Sequence, residues 1–172
     1  MTGKYHLMAA TATGAAASVI YALNSGPEFV HFLNAGSIFI SSSIAGLLPD
    51  IDLPKSTAGK CLKPISWTIN KLFGHRTITH SGLWLIVLFV LLYKTEWAPY
   101  LIGTSIGFLS HMCTDTMTAG GVPWLYPLSK KRIRLTFVES GKLDFLFTVI
   151  ISTLLILAMV FYHCYINGLI RF

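Results

Sequence analysis

Residues 143–166 read LDFLFTVIISTLLILAMVFYHCYI, and after Asp144 the stretch carries no formal charge. A bilayer core of about 30 Å needs about 20 predominantly apolar residues in a helix, with about 17 as the lower limit. This stretch meets that length, which makes the chain an α-helical membrane protein. Moving toward the N-terminus, segments at about 98–117, 77–93, 31–48 and 5–23 qualify or nearly qualify. The expected fold is therefore all-α, a polytopic bundle of about five spans. The segment at 5–23 is rich in Ala, Thr and Gly, which suits close helix packing better than lipid exposure. The segment at 77–93 is the weakest, reaching spanning length only by taking in the polar residues 77–81.

Composition agrees with this class. Of 172 residues, 53% are hydrophobic and 12% charged, against about 25% charged in an average soluble domain. The mean hydropathy is +0.64. The length suits one domain, 1–172. A net charge of +6 does not call for nucleic acid, because the basic residues sit in loops beside apolar spans. Cys61, Cys113 and Cys164 have no CxxC spacing and imply no disulfide framework. Lys4 ahead of an Ala-rich run resembles a signal peptide, but the run lacks a Leu-rich centre and carries His6, so it is expected to remain as a span.

Basic residues set the orientation. With a cytoplasmic N-terminus the inside carries Lys4, Lys55, Lys60, Lys63, Lys71, Arg76, Lys130, Lys131, Arg132, Arg134 and Lys142, eleven of the 13. Only Lys94 and Arg171 fall outside. Five spans then leave the C-terminus outside. The two cytoplasmic loops, about 49–76 and 118–142, are the long ones. The first has room for a short amphipathic helix near 62–73. The second is irregular around Gly120, Gly121, Pro123 and Pro127, with Trp124, Leu125 and Tyr126 expected to dip into the interface.

On this topology eight potential metal ligands share one membrane face: His6, Asp50, Asp52, His75, His80, His111, Asp115 and Asp144. His31, His163, Glu28 and Glu96 fall on the other. His111 and Asp115 are four residues apart on a helix, so both project from one side. Asp50 and Asp52 flank Ile51 just after Pro49, so one can enter a site while the other bridges or orients a histidine. His75 and His80 bracket a turn whose Thr77, Thr79 and Ser81 offer supporting hydroxyls. Mixed His and carboxylate donors suit zinc first, with manganese or iron as alternatives. Each cluster alone has a plain reading: His6 as an interfacial residue, Pro49 with its acids as a helix stop, His111 with Asp115 as an ion pair. Arg76 could meet headgroups, and Asp144 could answer the helix dipole. Their gathering on one face outweighs those readings, because ionisable groups near the bilayer are costly. The basic run 130–134 suits an anionic-lipid contact and orientation signal, with capture of a phosphorylated substrate as its alternative.

At these residues the chain resembles the YdjM family, described as LexA-regulated (SOS response), membrane-bound, metal-dependent hydrolases of the bacterial inner membrane. The matching pieces are His6, Leu48-Pro49-Asp50-Ile51-Asp52, Gly74-His75-Arg76 with Thr79-His80-Ser81, and Ser110-His111 with Asp115. Thr118, Gly121 and Pro127 follow the pattern, and the resemblance runs to about residue 150. Where the family carries Glu near the start of the last matched helix, this chain has Asp144, with Glu139 nearby. The family is also distantly similar to the zinc-dependent phospholipase C and P1 nuclease group through a His-x-x-x-Asp ligand pair, which implies phosphoester chemistry.

The expected function is hydrolysis of a lipid, lipid-linked or small-molecule phosphoester at the cytoplasmic interface, using divalent metal ions. His6, Asp50, His80, His111, Asp115 and Asp144 are the expected ligands. Asp52 is a bridge or general base, His75 a ligand or acid, and Arg76 a stabiliser of developing negative charge. Membrane lipids are the expected surroundings, and nucleic acid is not expected. Ion or proton transport and a purely structural metal site are the alternatives. Transport requires polar residues reaching the far side, where the spans offer only Thr11, Thr13, 41–43, Thr104 and Ser105.

Overall fold

Every segment expected to span becomes a helix in the computed structural model, which describes residues 2–92, 97–136, 139, 141 and 143–169. Lys94, Glu96, Lys142 and Arg171 lie outside the described residues. The helices are α1 (Gly3–Ser25), α2 (Phe29–Ala45), α3 (Thr57–Cys61), α4 (Lys63–Phe73), α5 (Leu83–Leu92), α6 (Ala98–Thr116) and α7 (Asp144–Ile166). Short 3-10 turns at Pro49–Asp52 and Ile78–His80 link α2 to α3 and precede α5. Among the described residues the sole β-pairing is an antiparallel bridge between Val122 and Ile133.

Three of these segments are long and apolar enough to cross a membrane: Gly3–Ser25, Phe29–Asp52 and Asp144–Ile166. The remaining two expected spans differ from the sequence reading. α6 is 19 residues long, but its last turns carry Ser110, His111 and Asp115, all buried, which lowers its hydropathy. Among the described residues α5 has ten, about 15 Å of helix. It starts at Leu83 because residues 77–81 spend their hydrogen bonds elsewhere: Thr79 on Asp52, and Ser81 on the Tyr126 carbonyl 2.5 Å away. The amphipathic helix expected near 62–73 is α4, whose Ile65, Trp67 and Leu72 are exposed.

α1, α2 and α6 form the tight centre of the bundle, with α7 against α1 and α5 against α6. On α1 the buried residues His6, Ala9, Ala10, Thr13, Gly14 and Ala17 recur at helical spacing, a stripe of small side chains ending in one imidazole. The Ser42 hydroxyl crosses to donate to the Ala10 carbonyl at 2.8 Å. Gly107 of α6 lies so close to α2 that an added Cβ would sit 2.1 Å from the Ser42 carbonyl oxygen. Such small-residue contacts let backbones approach where lipid supplies no hydrophobic drive. On α7 only Asp144, Phe147, Thr148, Ile151 and Ser152 are buried, a single stripe. Its Leu146, Val149, Leu154 and Leu157 are exposed, the outward apolar surface a bilayer would cover.

The second long loop folds against α6. Trp124, expected at the interface, instead packs on Phe108, Met112 and Val122 and donates its indole N–H to Thr116 Oγ1 at 3.0 Å. A half-buried indole takes a polar partner where one is available. Leu125 remains exposed.

Candidate metal centre

One end of the bundle collects the start of α1, the turn after α2, the loop before α5 and the end of α6. His6 comes from the first turn of α1 and His111 and Asp115 from the last turns of α6; all three are fully buried. The rings of His6 and His111 stack with centroids 3.6 Å apart. At the opposite end, His163 Nδ1 meets Asn24 at 3.0 Å, and His31 packs edge-on against Tyr21. The structure thus separates the histidines into two sets, as the topology predicts.

Hydrogen bonds fix the histidine tautomers. His111 Nδ1 lies 2.8 Å from the Gly46 carbonyl, an acceptor only, so Nδ1 holds the proton. Thr114 gives its single hydroxyl proton to the His111 carbonyl at 2.9 Å, so it accepts from His6 Nδ1, also at 2.9 Å. Thr79 gives its proton to Asp52 Oδ2 at 2.6 Å, leaving His80 Nδ1 to donate toward Thr79 Oγ1 at 3.1 Å or Asp52 Oδ2 at 3.3 Å. In its neutral form each imidazole would therefore present a bare Nε2.

Those nitrogens point at one another and at carboxylates. His80 Nε2 is 3.3 Å from His111 Nε2, 3.7 Å from Asp50 Oδ1 and 3.6 Å from Asp115 Oδ2. His111 Nε2 is 3.8 Å from both of those oxygens. On its other side Asp115 presents Oδ1 to His6 Nε2 at 3.2 Å, yet that buried nitrogen has no well-directed hydrogen bond. Beyond the Arg76 guanidinium on Asp115, such a buried set of donors could hold a cation between them. Donors around a tetrahedral ion with bonds of about 2.0–2.2 Å lie roughly 3.3–3.6 Å apart, close to the separations found. The residues fit a bound divalent ion. Three groups meet the spacing for one: His6, His111 and Asp115; Asp50, His80 and His111; and Asp50, Asp52 and His75.

Asp52 is fully buried and gathers the loop before α5. Its Oδ1 accepts from His75 Nδ1 at 2.7 Å, and its Oδ2 from the Arg76 N–H at 2.9 Å and from Thr79. His75 stays one-third exposed. Arg76 adopts a left-handed backbone with φ 58°, unusual for a residue with a side chain. Its Nη2 pairs with Asp115 Oδ2 at 2.8 Å and its Nη1 donates to Thr118 Oγ1 at 3.2 Å. The buried Asp144 carboxylate accepts the backbone N–H groups of Thr2 at 2.9 Å and Gly141 at 2.8 Å, and belongs to none of the three groups. Glu139 is exposed.

Three supporting groups escape a reading of ligand types alone. Gly46 contributes only a carbonyl, which no side-chain pattern reveals. Thr114 stands three residues after His111, a spacing that could have been read. Gly120 leaves room for the Arg76 guanidinium, since an added Cβ would lie 2.1 Å from Nη1.

The family profile described as YdjM inner membrane protein matches residues 1–170. The inner membrane protein YdjM of Escherichia coli (strain K12) is 37% identical over 151 residues, covering 83% of this chain and 73% of that protein. Its namesake in Shigella flexneri gives the same figures. The uncharacterized protein YvsG of Bacillus subtilis (strain 168) is 32% identical over 145 residues, 82% of either chain. No solved structure matches. With a profile spanning nearly its whole length and relatives above the identity that marks common descent, this chain belongs to the YdjM inner membrane protein family.

Proposed function

We propose that this protein is a metal-dependent hydrolase of the bacterial inner membrane, acting on a phosphoester at the cytoplasmic end of the bundle. The observation that carries the reading is the buried set formed by His80, His111, Asp50 and Asp115, whose imidazole Nε2 and carboxylate oxygen atoms lie 3.3–3.8 Å apart. These four, with His6 beside Asp115, would hold the divalent ion or ions, zinc first and manganese or iron as alternatives. A bound ion supplies Lewis acidity toward a phosphoryl oxygen and makes a water acidic enough to react near neutral pH.

The chain's own residues supply the rest. Asp52 orients His80 and, through His75 Nδ1, leaves His75 Nε2 on the exposed side to move a proton. Arg76 holds positive charge beside Asp115, where charge develops on the phosphoryl oxygens. Asp144 would support the ligand end by tying α7 to Thr2. Phosphoester chemistry is what the His-x-x-x-Asp spacing of His111 and Asp115 would imply, by its resemblance to the phospholipase C and P1 nuclease group. The inner-membrane location and cytoplasmic N-terminus are supported by the apolar helices, the relatives' names and the basic loops.

Elemental analysis of detergent-purified protein, with Asp50→Ala and His111→Ala beside it, tests the reading, together with phosphate release from lipid phosphates. The expected result is an ion in the wild type, lost with activity from folded variants. A folded wild type without bound metal would sink the proposal. The cluster also ties the ends of α1, α2 and α6 together, which favours a structural ion as the second reading. His111→Ala would then unfold the protein instead of leaving it folded and inactive.

A further inference from the structure

The basic run 130–134 is a built element. Val122 and Ile133 exchange both backbone hydrogen bonds, at 3.1 and 2.9 Å, and the Leu135 N–H reaches the Thr116 carbonyl at 2.8 Å. Alternation along this extended segment turns Arg132 and Arg134 to the side opposite Ile133. Arg132 Nη1 donates to the Gly120 carbonyl and Arg134 Nη1 to that of Ala119, each at 3.4 Å. An orientation signal requires only charge near the membrane, with no fixed geometry. This run is strapped across the same Thr118–Gly120 stretch that receives Arg76.

Between the strap and the loop after α4 lies a cleft of about 230 Å³. Its wall includes Arg76, Lys130 and Arg132, with Thr77, Tyr126 and Phe73, and among the described residues no carboxylate lines it. Arg76 connects it to the metal centre. Its Nη2 binds Asp115 and its Nη1 Thr118, so one guanidinium borders both sites. Three cations from two separated stretches around one cleft form a site for an oxyanion with several acceptors. We infer that this cleft is a phosphate-binding subsite that holds the phosphoryl group of a phosphoester beside the metal centre. The inference rests on the hydrolase reading for its substrate, and on the cleft's own cations for its ligand. A lipid headgroup or a soluble phosphoester would present the same chemistry.

Equilibrium dialysis of the full chain in detergent against radiolabelled inorganic phosphate tests it, with chloride holding the ionic strength constant and metal content measured on the same samples. Saturable binding is expected, weakened about ten-fold or more by Lys130→Gln and by Arg132→Gln. Lys131→Gln, the same charge change on an exposed residue outside the cleft, is expected to leave it unchanged. In nanodiscs of phosphatidylcholine, displacement of the label by added phosphatidic acid assigns the site to a lipid headgroup. Displacement only by a soluble phosphomonoester assigns it to a free one. Absence of saturable binding overturns the inference, as does equal weakening by all three substitutions. Phosphate binding in protein that holds no metal would end the hydrolase reading and leave the cleft; metal without phosphate binding would do the reverse.

Discussion

Replacing Asp52 by Asn separates two roles for this carboxylate, ligand of the ion or holder of the loop that carries His80. Fully buried, it takes His75 Nδ1 at 2.7 Å, the Arg76 N–H at 2.9 Å, the Thr79 hydroxyl at 2.6 Å and His80 Nδ1 at 3.3 Å. Asn keeps the volume and one acceptor oxygen and converts the other into a donor amide. The oxygen belongs on the Oδ2 side, where Arg76, Thr79 and His80 converge. The amide then meets His75 Nδ1, which accommodates it by moving its own proton to Nε2. Hydrogen bonds to a charged acceptor contribute about 1 kcal/mol more than neutral ones, so three weakened bonds cost about 3 kcal/mol and leave a folded protein.

The ion should respond differently. Without a carboxylate behind Nδ1, His80 Nε2 is a poorer donor, and loss of such a supporting group weakens metal affinity by about 10–100-fold, or about 1.4–2.7 kcal/mol. A chelator-competition titration on detergent-purified protein reads this directly. Asp52→Asn should bind more weakly yet still fill with excess metal, whereas Asp50→Ala should not fill. Wild-type affinity in Asp52→Asn would refute the orienting role. Loss as complete as in Asp50→Ala would make Asp52 a ligand itself.

Gly107→Ala should lower the thermal midpoint in detergent by the equivalent of about 1–3 kcal/mol, because the new methyl meets a backbone carbonyl that cannot yield. Gly36→Ala, with nothing within 4 Å of its Cβ, is the control. Gly120→Ala should leave the fold intact, since the atom it strikes is the far end of the Arg76 side chain, but weaken phosphate binding about ten-fold. Unchanged phosphate binding there would remove Arg76 from the subsite. Cys61 is exposed in the first long loop, so with Cys113 and Cys164 replaced by Ser a membrane-impermeant maleimide should label it in inverted vesicles and spare it in intact spheroplasts. Labelling in spheroplasts would reverse the proposed orientation.

The helices and the shared end of the site were legible because both follow from local properties. Hydropathy located the segments, and a helix of known ends carries its terminal residues to a known face. That argument parted His6, His80 and His111 from His31 and His163 without any contact information. What stayed hidden depends on partners distant in sequence. The residues at 77–81 read as the start of a helix until Asp52 and the Tyr126 carbonyl draw their hydroxyls away. Trp124 read as an interfacial aromatic because its partner, Thr116, is reached only when the loop folds back on α6. The left-handed backbone of Arg76 has no signal in residue type, since glycine is the usual occupant. For Asp144, sequence supplied the end of the bundle but not the two backbone N–H groups its carboxylate accepts.

The hydroxyls along the spans bear on transport against chemistry. A proton or ion path needs groups free to exchange partners from the site to the far side. Thr13 instead donates to the Ala9 carbonyl at 2.9 Å, Ser41 to that of Ser37 at 2.6 Å, and Thr104 to that of Tyr100 at 2.7 Å. Ser43 donates to Phe39 at 2.9 Å, and Ser42 spends its proton across the α1–α2 contact. Thr13, Ser41, Ser43 and Thr104 thus close local backbone bonds, while Thr11 donates to Ser43 Oγ at 3.3 Å and, like Ser42, ties α1 to α2, as expected of residues that allow helices to pack closely. Gly103 and Gly107 bring α6 onto the α2 backbone just beyond His111, where an added Cβ would lie within 2.3 Å of a carbonyl oxygen at either position. A path along that seam would have to part the tightest packing in the bundle, whereas His75 is already one-third exposed at the other end. The arrangement favours a site entered and left by the same face, as hydrolysis at an interface requires.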